Sequence, residues 1–145
     1  DDLEDIYQAR AKIEALCIKM AIEKGDDYWE ANCLAAMHRL NKSSSAENVD
    51  LKEWQKRHSA FHSDLVTGCG SPRLLQIRRS LFEKSTRYRN LWLKENVTNA
   101  DTLGVNQQEH TVLLNLALER NVKGATQLVE AHILTPVEII KKSLS

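Results

Sequence analysis

The sequence predicts an all-α protein, an antiparallel bundle of about six helices, on three observations. Apolar residues recur at helical spacing along most of the chain. No stretch shows the strict apolar–polar alternation of a half-buried strand, and no internal repeat is present. Only two prolines and five glycines punctuate 145 residues, 42% of them hydrophobic, a composition that suits packed helices. A chain of this length is most simply one domain with room for a proper core.

Helix one covers about Leu3 to Lys24, with Ile6, Ile13, Cys17 and Met20 as its apolar stripe. Gly25 ends it as a C-terminal cap. Arg10 sits within that stripe, and two readings stand. It either pairs with a carboxylate of another helix or snorkels outward, or it is a fork that clamps a ligand carboxylate. Helix two runs from about Asp27 to Asn41 with Trp29, Leu34, Met37 and Leu40, and its His38 reads as a surface or second-layer residue, not a ligand. The polar stretch Lys42 to Val49 reads as the longest flexible connection.

Asp50 is the expected N-cap of helix three, with Glu53 placed as in a capping box, and Gly68-Cys69-Gly70 ends this helix. Ser71 then caps helix four, with Pro72 at its first position. Helix four is expected to run to about Asn96 with Leu74, Leu81, Phe82, Tyr88 and Trp92 on a wide apolar face. Arg78, Ser85 and Arg89 lie along one edge of that face. Arg89 either turns toward an interior cavity or belongs to a solvated or dimer-facing edge. Helix five begins near Val105 and closes at Arg120-Asn121. Helix six carries Leu128, Val129, His132 and Ile133, with Pro136 expected to kink it.

Twenty basic and twenty acidic side chains cancel, so the broad positive field of a nucleic-acid binder is missing from this segment. No run approaches the ~20 apolar residues of a membrane span, and the start Asp1-Asp2-Leu3-Glu4-Asp5 is no signal peptide. Cys17, Cys33 and Cys69 are odd in number and widely spaced, which argues against a disulfide framework and points to a reducing cytoplasm. A chain that opens inside a helix without an initiator Met is expected to be a fragment lacking an N-terminal part.

The chemistry centres on histidine. His58 and His62 are four apart and fall inside the apolar stripe of Leu51, Trp54 and Leu65, so both imidazoles face the same way into the core. His110 shares a face with Leu113, Leu114, Ala117 and Leu118. It stands eleven residues before the turn at Asn121, and His132 stands eleven after it. In an antiparallel hairpin the two lie at matching heights, about three turns from its tip. Three or four inward imidazoles make a coherent divalent-metal site. The alternative is a set of core histidines that only hydrogen-bond. The chain has neither H-E-x-x-H nor the Glu-x-x-His pairs of di-iron bundles. Glu109 is rotated off the face of His110, and no acidic side chain is evident inside as a general base. A histidine-rich site with few carboxylates keeps the ion's positive charge, which suits holding an organic anion rather than turning it over.

The run Glu4-Asp5-Ile6-Tyr7-Gln8-Ala9-Arg10-Ala11-Lys12-Ile13-Glu14 resembles the opening of the FadR-type C-terminal (FCD) domain of GntR-family transcription regulators. Phe61-His62, Glu109-His110 and Ala131-His132 match at the family's spacing. Within the family the chain looks most like the carbon-starvation-induced regulator group, through Ala60-Phe61-His62, Gly68-Cys69-Gly70-Ser71, Arg87-Tyr88-Arg89-Asn90-Leu91-Trp92 and His132-Ile133-Leu134-Thr135-Pro136.

The resemblance implies an effector- and metal-binding domain over residues 1–145, normally preceded by an N-terminal winged helix-turn-helix that this chain lacks. The whole protein would be a homodimeric repressor that binds its DNA operator and responds to a small carboxylate. Many members hold a divalent metal, often zinc or nickel, with an Asp and three histidines. The matching positions are His58, His62, His110 and His132, and His58 departs from the usual Asp. The subgroup points to a short dicarboxylate or hydroxy acid such as glutarate, with Arg10 or Arg89 pairing with its far end. The rivals are a small metal-dependent hydrolase and a metal-free ligand module.

Overall fold

The computed structural model describes residues 2–44, 50–96 and 100–145, with side chains described up to residue 93 in the second segment and from residue 106 in the third. The elements are α1 (Asp2–Lys24), α2 (Asp27–Ser44), α3 (Leu51–Thr67), α4 (Pro72–Lys84), α5 (Thr86–Asn96), α6 (Ala100–Leu118), α7 (Val122–Leu134) and α8 (Pro136–Leu144). The described residues thus form eight helices and no strand, an all-α bundle as expected.

The difference from six comes from two interruptions. At Ser85 the backbone leaves the helix (φ −91°, ψ 3°), and the Ser85 hydroxyl donates to the Phe82 carbonyl at 2.7 Å. Ser85 is fully buried, so the bend lies inside the protein, where a serine can satisfy a freed carbonyl. At Thr135 the hydroxyl donates to the Ala131 carbonyl at 2.8 Å, and Pro136 opens α8. Proline has no N–H to continue the ladder.

α1 is the axis, packed against α7, α4, α3, α6 and α8, while α2 lies on α3 and α6. Its buried face is Leu3, Tyr7, Ala11, Glu14, Ala15, Cys17, Ile18, Ala21 and Ile22, one position round from the expected stripe, with Ile6, Ile13 and Met20 on its margin. On α2, Leu34 stays 51% exposed. Cys33 takes the inward place, and its thiol reaches the Asp64 carbonyl of α3 at 3.6 Å. The end of α2 extends to Ser44, where the expected polar connection was to begin. Its remainder, 45–49, lies outside the described residues. Asp50 caps α3 through Lys52 N–H and Glu53 N–H, and Ser71 caps α4 through Leu74 N–H. His38 is exposed, as expected of a surface residue.

Two turns meet at one end of the bundle. Arg120 adopts φ 62°, a left-handed conformation unusual for a side-chain-bearing residue. It closes α6 with Asn121 N–H bonded to the Leu116 carbonyl at 2.9 Å. The Arg120 guanidinium then donates to the carbonyls of Ile22 (2.7 Å) and Gly25 (2.9 Å) and to Glu30 (2.8 Å). It thereby caps the C-terminus of α1. Gly25 ends α1 for a reason other than the expected left-handed cap, since its φ is not positive. A Cβ there would land on the Trp29 ring and on the Ala21 carbonyl. Trp29 in turn donates to the Leu65 carbonyl at 3.0 Å, tying α2 to α3. Three free cysteines are all buried, and among the described residues no helix is long and apolar enough to cross a membrane.

Gly25→Ala is expected to destabilise the fold by about 1–3 kcal/mol, read as a lower urea midpoint with an unchanged m-value. An unaltered midpoint would show that Trp29 can move aside freely.

Candidate metal and acid-binding site

α3 presents His58 and His62 one turn apart, while α6 and α7 bring His110 and His132 to the same height. All four Nε2 atoms lie within 4.8 Å of one another. His110 Nε2 is 3.1 Å from the Nε2 of His58, of His62 and of His132, and His58 and His62 are 3.2 Å apart. A ring nitrogen carries one proton or one lone pair along its axis, so at most one of the three approaches to His110 can be a hydrogen bond. Mutual hydrogen bonding therefore does not account for the cluster. Ligands about 2.0–2.1 Å from a zinc-like ion stand roughly 2.9–3.4 Å apart for right-angle to tetrahedral geometry. Four of the six donor pairs meet that spacing, so the set could hold a divalent ion once His132 draws closer to His58 and His62, the two wider pairs.

The surroundings hold the rings in that arrangement. Trp54 stacks on His58 with ring centroids 4.6 Å apart, and Phe61 flanks His62 at 5.4 Å and His110 at 5.5 Å. His132 Nδ1 lies 3.4 Å from Glu109 Oε1, which directs the lone pair of His132 Nε2 to the centre. That hydrogen bond, ahead of any other influence, holds the Glu109 carboxyl below its usual value. Glu109 is off the face of His110, as the periodicity requires, yet it serves the histidine of the neighbouring helix. His58, His62 and His110 are held well below the usual histidine pKa, first by burial and then by neighbouring imidazoles. They are therefore neutral at pH 7, the form that binds a metal.

Beside the cluster lies a cavity of about 460 Å³, within the range of small-molecule sites. His58, His62 and His132 open onto it, and His110 sits behind them at 1% exposure. α4 contributes no buried residue because its inner face, with Leu75, Arg78 and Phe82, forms the cavity wall.

Both arginines singled out in the sequence, Arg10 and Arg89, line this cavity. Arg10 lies over Tyr7 (5.0 Å) and Phe82 (5.4 Å), and Arg89 lies over the other reach of Phe82 at 3.6 Å. Arg89 also donates to the Ser85 hydroxyl at 3.2 Å and to the Phe82 carbonyl at 3.2 Å, so the bend at Ser85 is what aims it. Burial, then the like charge of Arg10, brings Arg89 down to about 10. Burial likewise lowers Arg10. Among the described residues neither has a carboxylate within ion-pair distance. Both guanidiniums line the cavity, stacked on aromatic rings instead of closed by an ion pair among the described residues.

Among the described arginines that line the cavity, the carboxylate-paired one is Arg78. Its Nε and Nη2 grip Glu14 at 2.6 and 3.1 Å, a bidentate bond between α4 and α1. Glu14 is 6% exposed and lines the cavity, so an acidic side chain does lie inside, contrary to the sequence expectation. Its spacing of four from Arg10 was the available signal. Both its oxygens are engaged by Arg78, and a second acid, the exposed Glu83 near the end of α4, also lines the cavity.

Residues 5–135 match the FCD domain. The chain belongs to the FCD domain family. It is 40% identical over 146 residues to the HTH-type transcriptional repressor GlaR of Escherichia coli K12, covering 99% of this chain and 66% of that protein. It is 25% identical over 146 residues to an uncharacterized HTH-type transcriptional regulator, BphR, of Paraburkholderia xenovorans LB400, covering 98% of this chain and 58% of that protein. This FCD chain therefore spans about two thirds or less of the relatives it matches.

Two outcomes are expected from this geometry. Glu109→Gln should weaken zinc binding about 10- to 100-fold in a competition titration with a chromophoric chelator, and an unchanged affinity would remove Glu109 from the site. The depressed histidines also set a pH dependence. Below the ordinary histidine value of 6.5 the unfolded chain takes up protons that the native state refuses. Metal-free protein should keep full stability above about pH 6.5 and lose it on acidification toward about pH 5. Thermal melts across that range should show the fall, and His110→Leu should flatten it.

Proposed function

We propose that this FCD chain is the effector-sensing domain of a GntR-type transcriptional repressor, taking a short dicarboxylate or hydroxy acid such as glutarate at a divalent-metal centre. The observation that carries this reading is one cavity with the four-imidazole cluster at one wall and, at another, two guanidiniums, Arg10 and Arg89, that have no carboxylate partner among the described residues. Zinc or nickel suits the all-nitrogen donor set. Histidine at position 58 supplies no negative charge, so the centre keeps the full charge of the ion. When bound, the ion supplies a Lewis-acidic anchor for a carboxylate.

The chain's own residues do the rest. Arg10 and Arg89 bind the far carboxylate from α1 and α5. Phe82 and Trp54 exclude water around the ligand's carbon chain. Arg78 and Glu14 hold the α4 wall to α1. A ligand that bridges these walls changes how α4 and α5 sit on α1, and any difference in affinity between the two arrangements becomes a signal. The named relatives are HTH-type regulators, and the chain spans part of their length. We place the domain in a cytoplasmic homodimer, joined to an N-terminal winged helix-turn-helix that binds the operator. Family membership stands against the hydrolase rival.

A thermal-shift screen of short mono- and dicarboxylates with and without zinc should give metal-dependent stabilisation by dicarboxylates. Arg10→Met and Arg89→Met should each lower that affinity about tenfold or more. Stabilisation that survives EDTA unchanged would take the metal out of the reading, and ester hydrolysis abolished by His62→Ala would favour the enzyme.

A further inference from the structure

Asn106 is a polar residue of the cavity that the reading above leaves unused. It stands one turn before His110 on α6, lines the cavity and is 9% exposed. Its side-chain carbonyl Oδ1 is enclosed and has no hydrogen-bond partner among the described residues. Buried amide oxygens are nearly always paired, because leaving one unpaired costs about 1–3 kcal/mol. Four residues along a helix are about 6 Å, so Asn106 is a near neighbour of the histidine centre. The terminal torsion of asparagine is soft, so the amide turns toward a partner at little cost.

The cavity's charge decides what that partner is. Oδ1 needs a donor. An ionised carboxylate has none, and a protonated carboxyl is disfavoured beside Arg10 and Arg89. An ammonium donor would enter a space already facing two guanidiniums. A neutral hydroxyl carries a donor without the charge.

We infer that Asn106 is a specificity-determining residue of the acid pocket, its carbonyl accepting a hydrogen bond from a hydroxyl that the effector carries near the carboxylate held at the histidine centre. The inference rests on the acid-sensor reading and narrows it to hydroxy acids over their deoxy counterparts.

The test is a matched-pair titration of the chain with zinc present, by calorimetry, using 2-hydroxyglutarate against glutarate and malate against succinate. The hydroxy member of each pair should bind about tenfold tighter or better. Asn106→Leu should bring each ratio to within about threefold while glutarate affinity holds. Without ligand the variant should melt at the same temperature or a few degrees higher, because it deletes an unpaired oxygen. Should the leucine variant fail to fold, Asn106→Ala reads the same ratios. Equal binding within each pair overturns the inference, as does an equal loss of both members on substitution, which would mean the amide donates to the carboxylate. Both of those outcomes leave the acid sensor standing. Failure of every acid to bind the unaltered chain removes the sensor and this inference together.

Discussion

Four imidazole nitrogens gathered around a single point cannot satisfy one another. His110 alone faces three partners at 3.1 Å, and one ring nitrogen serves one of them. The arrangement holds only because α3, α6 and α7 are fixed by other means. Trp54, Phe61 and Leu65 lock α3 into the core, and Leu113, Leu114 and Ala117 do the same for α6. The turn at Arg120 and Asn121 sets α7 against α6 at the height that pairs His132 with His110. Stability of the bundle is thus spent on a polar centre that suits a cation, and burial keeps His58, His62 and His110 neutral.

The second polar layer has an opposite logic. Glu14 and Arg78 satisfy each other across α1 and α4, and a buried pair of this kind costs several kcal/mol to break by removing one partner. Arg10 and Arg89 are not satisfied in that way. They stack on Tyr7 and Phe82, which cushions the cations without neutralising them. One ion pair fastens the cavity wall, and two guanidiniums without a carboxylate partner among the described residues face the cavity. The bend at Ser85 links the layers, since the same serine that ends α4 receives a hydrogen bond from Arg89.

Much of this was legible from residue spacing. The i,i+4 step puts His58 and His62 on one face, and the equal distances from Asn121 put His110 and His132 at one height. Caps at Asp50 and Ser71 follow from local chemistry and appear as expected. The interruption at Ser85 was not legible, because no glycine or proline marks it and the reason is a buried carbonyl that the serine satisfies. Glu14 was overlooked as a cavity residue because a carboxylate on an apolar face shows its partner only when Arg78 arrives from sixty-four residues away. The roles of Arg10 and Arg78 illustrate the same limit. By sequence Arg10 was the candidate for a carboxylate on another helix, and packing gave that role to Arg78.

By itself the sequence determined the helical class, most helix boundaries, the inward histidines and the family likeness. These depend on period, capping and residue type, which are local properties of a chain. Tertiary structure decided which nitrogens meet, that Glu109 supports His132 instead of His110, that Arg78 closes on Glu14 while Arg10 and Arg89 face the cavity, and that the Asn106 carbonyl is left unpaired. Those outcomes depend on distances between helices far apart in the chain, and no local period encodes such distances.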